Sequence, residues 1–397
     1  MTDFSNTRQQ FHLPEGLVYL DGNSLGPMPK TALAAAKRVI ADEWGEMLIG
    51  GWNKADWMSL PMRLGEKIGR LIGAPAGSVT TGDTLSIKVY QALASALELN
   101  PGRKTVLSDN GNFPTDLYMA EGLLKSLGED YRLKVVDPEA VADHFDDSVA
   151  VVMLTEVDYR TGRMHDMAAI TRKAHDAGAV MIWDLAHSAG AVPVDLTAAN
   201  ADFAVGCTYK YLNGGPGAPA FIYVRPDLAD RVRPALSGWL GHEAPFAFDL
   251  DYRPGAGVER MRVGTPPIIQ MSILEAALEV WDGVDMADIR ARSIELSQRF
   301  IELVEAGTDK AVLASPRDPQ ARGSQVSFRF SEGYAAMQAL IASNVVGDFR
   351  APDIMRFGFC PLYNSVEEVE QAAGILCEIV ETGAWDRPEF RKRQAVT

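Results

Sequence analysis

The chain has 397 residues, 47% of them hydrophobic, enough for more than one core, so two domains are the first expectation. Its 53 acidic residues against 38 basic ones give a formal charge of −15, which repels phosphate backbones and acidic membranes and argues against nucleic-acid binding. The one basic cluster, Arg391, Lys392 and Arg393, stands near the C-terminal end and reads as a solvated tail.

In chain order, the first 30 or so residues carry little regular pattern and are expected to pack on a domain or on a partner subunit. From there to about Asp282, short apolar runs alternate with segments of helical period. The predicted elements are a helix over Thr84–Leu99, a strand over Lys104–Leu107, a helix over Pro114–Leu127, a strand over Val149–Thr155 and a helix over Asp166–Ala177. Strands over Val180–Trp183, Phe203–Thr208 and Ala220–Val224 follow, then a helix over Pro266–Trp281. The continuously apolar Val149–Leu154 and Val180–Trp183 suit strands covered on both faces, as in a mostly parallel sheet. A charged helix over Asp285–Glu305, strands near Gln325–Phe330 and Met355–Phe359, and helices near Gly333–Ser343 and Val366–Glu381 read as an α+β module. The expected division is 1–30 (N-terminal segment), 31–282 (large α/β domain) and 283–397 (small C-terminal domain).

Cys207, Cys360 and Cys377 lack a CxxC spacing, which fits neither a disulfide framework nor a cysteine-ligated zinc site and points to a reducing, cytoplasmic setting. The N-terminus has no basic region followed by an apolar run, and no stretch reaches the roughly 18–20 apolar residues of a membrane span. His12, His144, His165, His175, His187 and His242 form no paired spacing with a helical glutamate, so no metal site is expected.

Two segments carry chemistry together. Val180–Trp183 delivers Asp184 to a strand's C-terminal edge, where open α/β sheets bind ligands, and His187 follows three residues on. The strand from Phe203 delivers Lys210 into a loop containing Gly214, Gly215 and Gly217. Alone, Asp184 reads as a helix cap or loop salt bridge and Lys210 as a solvated surface residue. As a pair they supply an amine for a Schiff base and a carboxylate for a pyridinium nitrogen, the two partners pyridoxal phosphate needs. Thr81–Ser86 places glycine and hydroxyls at a helix start, suited to a phosphate dianion or to an ordinary threonine cap. Phe113, at the next helix start, suits stacking on a cofactor ring or a hydrophobic staple.

The segments Leu20-Asp-Gly-Asn-Ser-Leu-Gly-Pro27, Asn112-Phe-Pro-Thr-Asp116, Val157-Asp-Tyr-Arg-Thr-Gly162, Asp184-Leu-Ala-His187, Tyr209-Lys-Tyr-Leu-Asn213 and Arg356-Phe-Gly-Phe-Cys-Pro-Leu-Tyr-Asn364 resemble the kynureninases, in their bacterial form. These are fold-type I pyridoxal phosphate enzymes of the class V aminotransferase superfamily. The resemblance runs in order over nearly the whole chain. It implies a large domain with a mostly parallel sheet flanked by helices, a smaller α+β C-terminal domain, and pyridoxal 5'-phosphate as cofactor. It also implies a homodimer with shared active sites and hydrolysis of the β–γ carbon–carbon bond of L-kynurenine to anthranilate and L-alanine. That activity belongs to tryptophan catabolism, the kynurenine pathway and NAD biosynthesis.

Carried over by position, the resemblance makes Lys210 the Schiff-base lysine, Asp184 the pyridinium partner, His187 its neighbour at the ring and Phe113 the stacking residue. Asp83, Thr84, Pro114, Thr115, Asp116 and Thr155 complete the cofactor shell. Tyr209 reaches the phosphate or relays protons, two compatible roles. Trp239 and Thr265 enter across the dimer interface. Asn23, Ser24 and Trp52 face the substrate, and Arg356 clamps its α-carboxylate, for which a guanidinium fork is suited on its own chemistry. Gly264-Thr265-Pro266-Pro267, and Trp52 at the aromatic-pocket position, resemble the bacterial form, which prefers unhydroxylated kynurenine; turnover of 3-hydroxykynurenine stays open.

The rival within the superfamily is a cysteine desulfurase or selenocysteine lyase using Cys360, although Phe359 and Pro361 suit a buried thiol. A nicotinamide oxidoreductase fails because Gly214-Gly215-Pro216-Gly217 follows a lysine and contains proline, without the GxGxxG that opens a helix.

Overall fold

The computed structural model describes residues 2–393. Seven strands form the main sheet: β1 Val79–Thr81, β2 Thr105–Asp109, β3 Arg132–Val136, β4 Val149–Thr155, β5 Val180–Asp184, β6 Phe203–Gly206 and β7 Phe221–Val224. Their spatial order is β1-β7-β6-β5-β4-β2-β3. The pairs β2–β3, β2–β4, β4–β5 and β5–β6 are parallel, and β7 runs antiparallel to both its neighbours.

The central strands are buried on both faces, as their apolar runs require. In β4, Val152 and Leu154 enter one hydrophobic cluster while Val151 and Met153 enter the other. Helices α1 Leu85–Leu99 and α2 Pro114–Leu127 cover one face with Val89, Leu93, Ala120 and Leu123. On the opposite face, α3 Met167–Asp176 and α4 Ile268–Ala277 contribute Ala174, Met271 and Leu274 around the fully buried Trp183. Each large apolar side chain buried this way contributes roughly 1.5–3 kcal/mol.

A second, four-stranded antiparallel sheet contains β8 Val312–Leu313, β9 Gln325–Arg329, β10 Asp348–Arg350 and β11 Ile354–Gly358, in the order β10-β11-β9-β8. Helices α5 Met286–Gly307, α6 Gly333–Ala342 and α7 Val366–Thr382 form with it a separate core centred on Phe300, Phe328, Met337, Phe357 and Leu376. Helix α7 is closed at both ends by local chemistry. Ser365 and Glu368 make a reciprocal capping box, and Gly383 takes the left-handed conformation at φ 73°.

The N-terminal segment packs on this second sheet's side of its own chain. Val18–Tyr19 pairs in parallel with Val345–Val346, and the Gly358 N–H donates to the Leu20 carbonyl at 2.7 Å. The Thr7 hydroxyl donates to the Leu362 carbonyl at 2.9 Å. The basic cluster is exposed, as a solvated tail is, and is tied to the surface: Arg391 pairs with Glu332 and Asp386, both at 2.9 Å, and Arg393 stacks over Tyr334. Acidic and aromatic neighbours on the surface draw it down. Among the described residues no helix is long and apolar enough to cross a membrane.

Candidate active site

Strand β5 ends on Asp184, which still pairs with Thr155 of β4 and Val205 of β6 and so stands buried at the sheet's C-terminal edge. The backbone then turns, and the Ala186 N–H donates back to Asp184 Oδ1 at 2.8 Å. Strand β6 ends at Gly206, and the turns after it hold Lys210 above the same edge. The N-terminal segment braces that loop. The Gly26 N–H donates to the Tyr209 carbonyl at 2.8 Å, and a Cβ at Gly26 would stand 2.3 Å from the Lys210 carbonyl, so only glycine fits.

One pocket is lined by Asn23, Ser24, Phe113, Thr155, Asp184, His187, Tyr209, Lys210 and Arg356, nine of the sequence-predicted site residues. Leu85, Tyr159, Ala186 and Arg350 complete it and were not assigned from sequence. The Tyr159 ring meets Phe113 edge-on at 5.2 Å, and its carbonyl accepts from Arg356. Phe113 is thus a pocket wall, 42% exposed, and not a staple beneath its helix.

Lys210 Nζ lies 2.9 Å from His187 Nε2 and 5.9 Å from the ring centre of Phe113. Burial first, then the Lys210 charge, holds His187 well below the usual imidazole range, so the ring is neutral and accepts from the ammonium at Nε2. The proton of this tautomer sits on Nδ1, a buried atom with no partner among the described residues.

Asp116, in the first turn of α2, is not on the pocket wall but directly behind it, hydrogen-bonded to Asp184. Burial and then the Asp184 charge push the Asp116 carboxyl well up, whereas the Lys210 charge opposes the rise that burial causes in Asp184. Asp116 is therefore the more readily protonated of the pair and Asp184 the one that keeps its charge longer, with Lys210 as the cause of the difference.

On the other flank, Gly82 and Asp83 take positive φ values of 154° and 53°, turning the chain into α1. Thr84 stands at the N-cap but makes no capping bond with its side chain. An ordinary threonine cap is therefore not what this residue supplies. The fully buried Lys88 fixes the turn, its Nζ lying 3.1 Å from Asp83, 2.9 Å from Gln91 Oε1 and 3.0 Å from the Met261 carbonyl. Pro114 and Thr115 open α2 beside Phe113 without lining the pocket.

Three sequence-predicted residues lie elsewhere. Trp52 does not face the pocket of its own chain: it packs at 5.9 Å on Trp57 and 6.4 Å on Trp239, where indole surface finds aromatic neighbours. Trp239, 38% exposed, and the exposed Thr265 are also outside the pocket of their own chain.

The arrangement fits pyridoxal phosphate. An amine with a neutral histidine beside it, a buried carboxylate pair with no direct ion-pair partner among the described residues, an aromatic wall and an uncapped helix start meet the aldehyde, the pyridinium, the ring face and the phosphate. Cys360 does not fit the thiol chemistry of a desulfurase. It is 1% exposed, and burial pushes its thiol up to about 12.

Comparison with known proteins agrees with this geometry. The family model Kynureninase C-terminal domain matches residues 289–376. The kynureninase of Pseudomonas fluorescens is 51% identical, covering 98% of this chain and 95% of its own, and that of Burkholderia pseudomallei strain 1106a is 50% identical over the same shares. Among solved structures, the apo cysteine desulfurase of Thermococcus onnurineus NA1 superposes with a TM-score of 0.80 at 20% identity, covering 96% of this chain and 99% of that one. A C-DES variant with glycine covalently linked to its PLP cofactor gives 0.79 at 20% identity, covering 95% and 100%. These structures share the α/β fold of fold-type I pyridoxal phosphate enzymes. With half its residues identical to kynureninases along almost its whole length, the chain belongs to the kynureninase family and is a pyridoxal phosphate-dependent hydrolase of carbon–carbon bonds in ketonic substrates.

Proposed function

We propose that the substrate is L-kynurenine, cleaved between its β and γ carbons to anthranilate and L-alanine, with the residues of the Lys210 pocket in the roles that follow. The carrying observation is that Lys210 and Asp184, from the ends of two neighbouring strands of the main sheet, and Arg356, from the second sheet, line one pocket. Bound pyridoxal phosphate supplies an electron sink for the charge left on the substrate's carbons as bonds to them break. Asp184, with Asp116 behind it, holds a proton on the pyridine nitrogen. Thr84 and the start of α1, with Thr115 and Tyr209, hold the phosphate, and Asp83, tied to Lys88, fixes the turn beneath it; Phe113, Pro114, Thr155 and His187 bound the ring.

Lys210 anchors the cofactor and then moves the proton at the substrate's α-carbon. The neutral His187 takes up its hydrogen bond, keeping the amine aimed into the pocket. Tyr209, on the same wall, supplies a second proton-carrying group for the γ-carbonyl oxygen. Arg356 receives the α-carboxylate, with Asn23 and Ser24 beside it.

The proposed assembly is a homodimer in which Trp239 and Thr265, with Trp52 next to Trp239, complete the partner's pocket. The surface supports it: Trp52, Trp239, Phe246 and Phe248 form a continuous run of ring contacts, of which Phe246 and Phe248 are exposed by 64% and 79%, an apolar patch that a partner subunit would cover. The division into 1–30, 31–282 and 283–397 is proposed on the separate cores of the two sheets. A reducing cytoplasmic setting is proposed on three cysteines that are all free.

Offering the purified protein L-kynurenine, 3-hydroxykynurenine and L-cysteine separately, while following anthranilate fluorescence, hydroxyanthranilate and sulfide, tests the reading. Anthranilate should form fastest; sulfide without anthranilate would overturn it. Mixing Lys210→Ala protein with Thr265→Ala protein tests the shared site, because a heterodimer regains one intact pocket only if the two residues belong to different subunits' halves of it.

A further inference from the structure

Beside Arg356 lies a cluster that the roles above do not use. On adjacent antiparallel strands, Asp348 stands directly opposite Arg356, so their side chains share a face. Arg356 Nε donates to Asp348 Oδ1 at 2.5 Å, its NH2 group donates to Asp348 Oδ2, and Ser24 bridges the two. This occupies one edge of the guanidinium fork. Of the remaining hydrogens, NH2 donates one to Ser24 at 3.1 Å and NH1 one to the Tyr159 carbonyl, so a carboxylate arriving from the pocket meets one uncommitted N–H, on NH1, beside Ser24. Arg350, also on the pocket wall, reaches Asp348 Oδ2 at 2.8 Å.

The charges do not close. Two guanidinium groups face one committed carboxylate, leaving one positive charge in excess. Asp21, brought alongside by its backbone bridge to Gly358, is the fourth member of the cluster. Its Oδ1 is buried and meets no donor among the described residues. An ionised Asp21 and an incoming substrate carboxylate would compete for the same excess charge, because a third carboxylate against two guanidiniums repels the other two.

We propose that Asp21 is a proton-linked specificity residue for the substrate: the α-carboxylate docking on Arg356 takes over the charge of Asp21, which binds a proton from solvent as the carboxylate arrives. The proposal deepens the assignment of Arg356 as carboxylate clamp and rests on it. The groups facing Asp21 are Tyr19 and Ser24 from its own segment, Asp348 and Arg350 from β10, Arg356 from β11, and Tyr211 from the loop after Lys210. Burial and then the Asp348 charge push the Asp21 carboxyl up to about 7, against the pull of Arg356, so its proton is exchangeable near neutrality.

The test is calorimetry on the holoenzyme with 4-(2-aminophenyl)-4-oxobutanoate, which keeps the ketone and carboxylate but has no α-amine to react with the cofactor, and with its amide as control. For the carboxylate, measurement in two buffers of different ionisation enthalpy at pH 7.5 should show an uptake of roughly half a proton or more per site. Its Kd should rise above pH 7 toward a limit of about tenfold per unit. The amide should show neither effect, and Asp21→Asn should abolish both for the carboxylate. No proton uptake by the wild-type protein, or the same uptake in Asp21→Asn, overturns the role of Asp21 even if that variant proves hard to fold, since the wild-type measurement stands alone. Arg356→Lys separates the underlying assignment: loss of carboxylate binding with no change for the amide supports the clamp, whereas unchanged binding of both overturns the clamp itself.

Discussion

The Lys210 ammonium donates to His187 Nε2 across 2.9 Å, and the two side chains come from successive strand ends, 23 positions apart in sequence. The contact explains how a lysine in a glycine-rich loop is held in one direction. It also sets the tautomer of an imidazole that burial keeps neutral: acceptor toward the amine, with its proton on Nδ1, which meets no partner among the described residues.

Replacing Lys210 by alanine should leave cofactor binding noncovalent. Borohydride treatment followed by peptide mass spectrometry should then find no labelled lysine, whereas the wild-type chain is labelled at Lys210. Label at Lys173 would mean that the anchor is elsewhere. Lys88, buried against Asp83 and Gln91, should never be labelled.

The two buried carboxyls should not be equivalent. Asp116 is the more readily protonated, so asparagine replaces it almost in kind; Asp184 keeps its charge longer, and its amide cannot. Asp116→Asn should cost about tenfold in kcat/KM, and Asp184→Asn or Asp184→Ala about a thousandfold or more, roughly 4 kcal/mol, together with weakened cofactor binding. Steady-state kinetics with a cofactor titration checks the order. Equal losses would contradict the assignment of charge, and full activity in Asp184→Ala would sink the site.

Glu156 and Asp21 should each contribute stability that falls as pH rises through the weakly acidic range, against the opposite contribution of the buried, neutral His187. Burial raises Glu156 from its ordinary value near 4.5 to about 7, and Asp21 from 3.8 to about 7. Between the ordinary and raised values the folded chain holds protons that the unfolded chain has released, so the stabilisation present at low pH is lost as pH climbs through this window. For Glu156 the change is on the order of 3 kcal/mol. Urea unfolding at pH 5 and pH 8 checks this: the change in stability from pH 5 to pH 8 should be more favourable in Glu156→Gln than in the wild-type chain by about that amount. An unchanged slope in the variant would show that Glu156 is not the group responsible.

Cys360→Ser should barely alter anthranilate formation, by less than about twofold, while lowering stability by about 1–3 kcal/mol because a hydroxyl enters an apolar site. A desulfurase would lose its activity outright. Parallel assays with kynurenine and cysteine separate the two outcomes.

Much of this architecture was legible because the relevant signals are local. Strand Val149–Thr155 and helix Pro114–Leu127 fall where the apolar run and the helical period place them, since both faces of one and one face of the other need burial. Strands Val79–Thr81 and Arg132–Val136 escaped, the first because three residues carry no period and the second because an edge strand with exposed Arg132 needs no continuous apolar run.

The sequence by itself determined the chemical types and the backbone positions from which they act: an amine and a carboxylate at the ends of neighbouring strands, an arginine near the far end of the chain, and the order of motifs around them. Only the tertiary structure decided which of these meet. It brought Arg350, Tyr159 and Ser24 around Arg356, sent Trp52 to Trp239, and placed Asp116 behind Asp184. The physical reason is range. Periodicity and capping act over a few residues, whereas burial and charge neutralisation act between side chains as far as 360 positions apart, as Arg8 and Glu368 are, and are fixed only when the sheets pack.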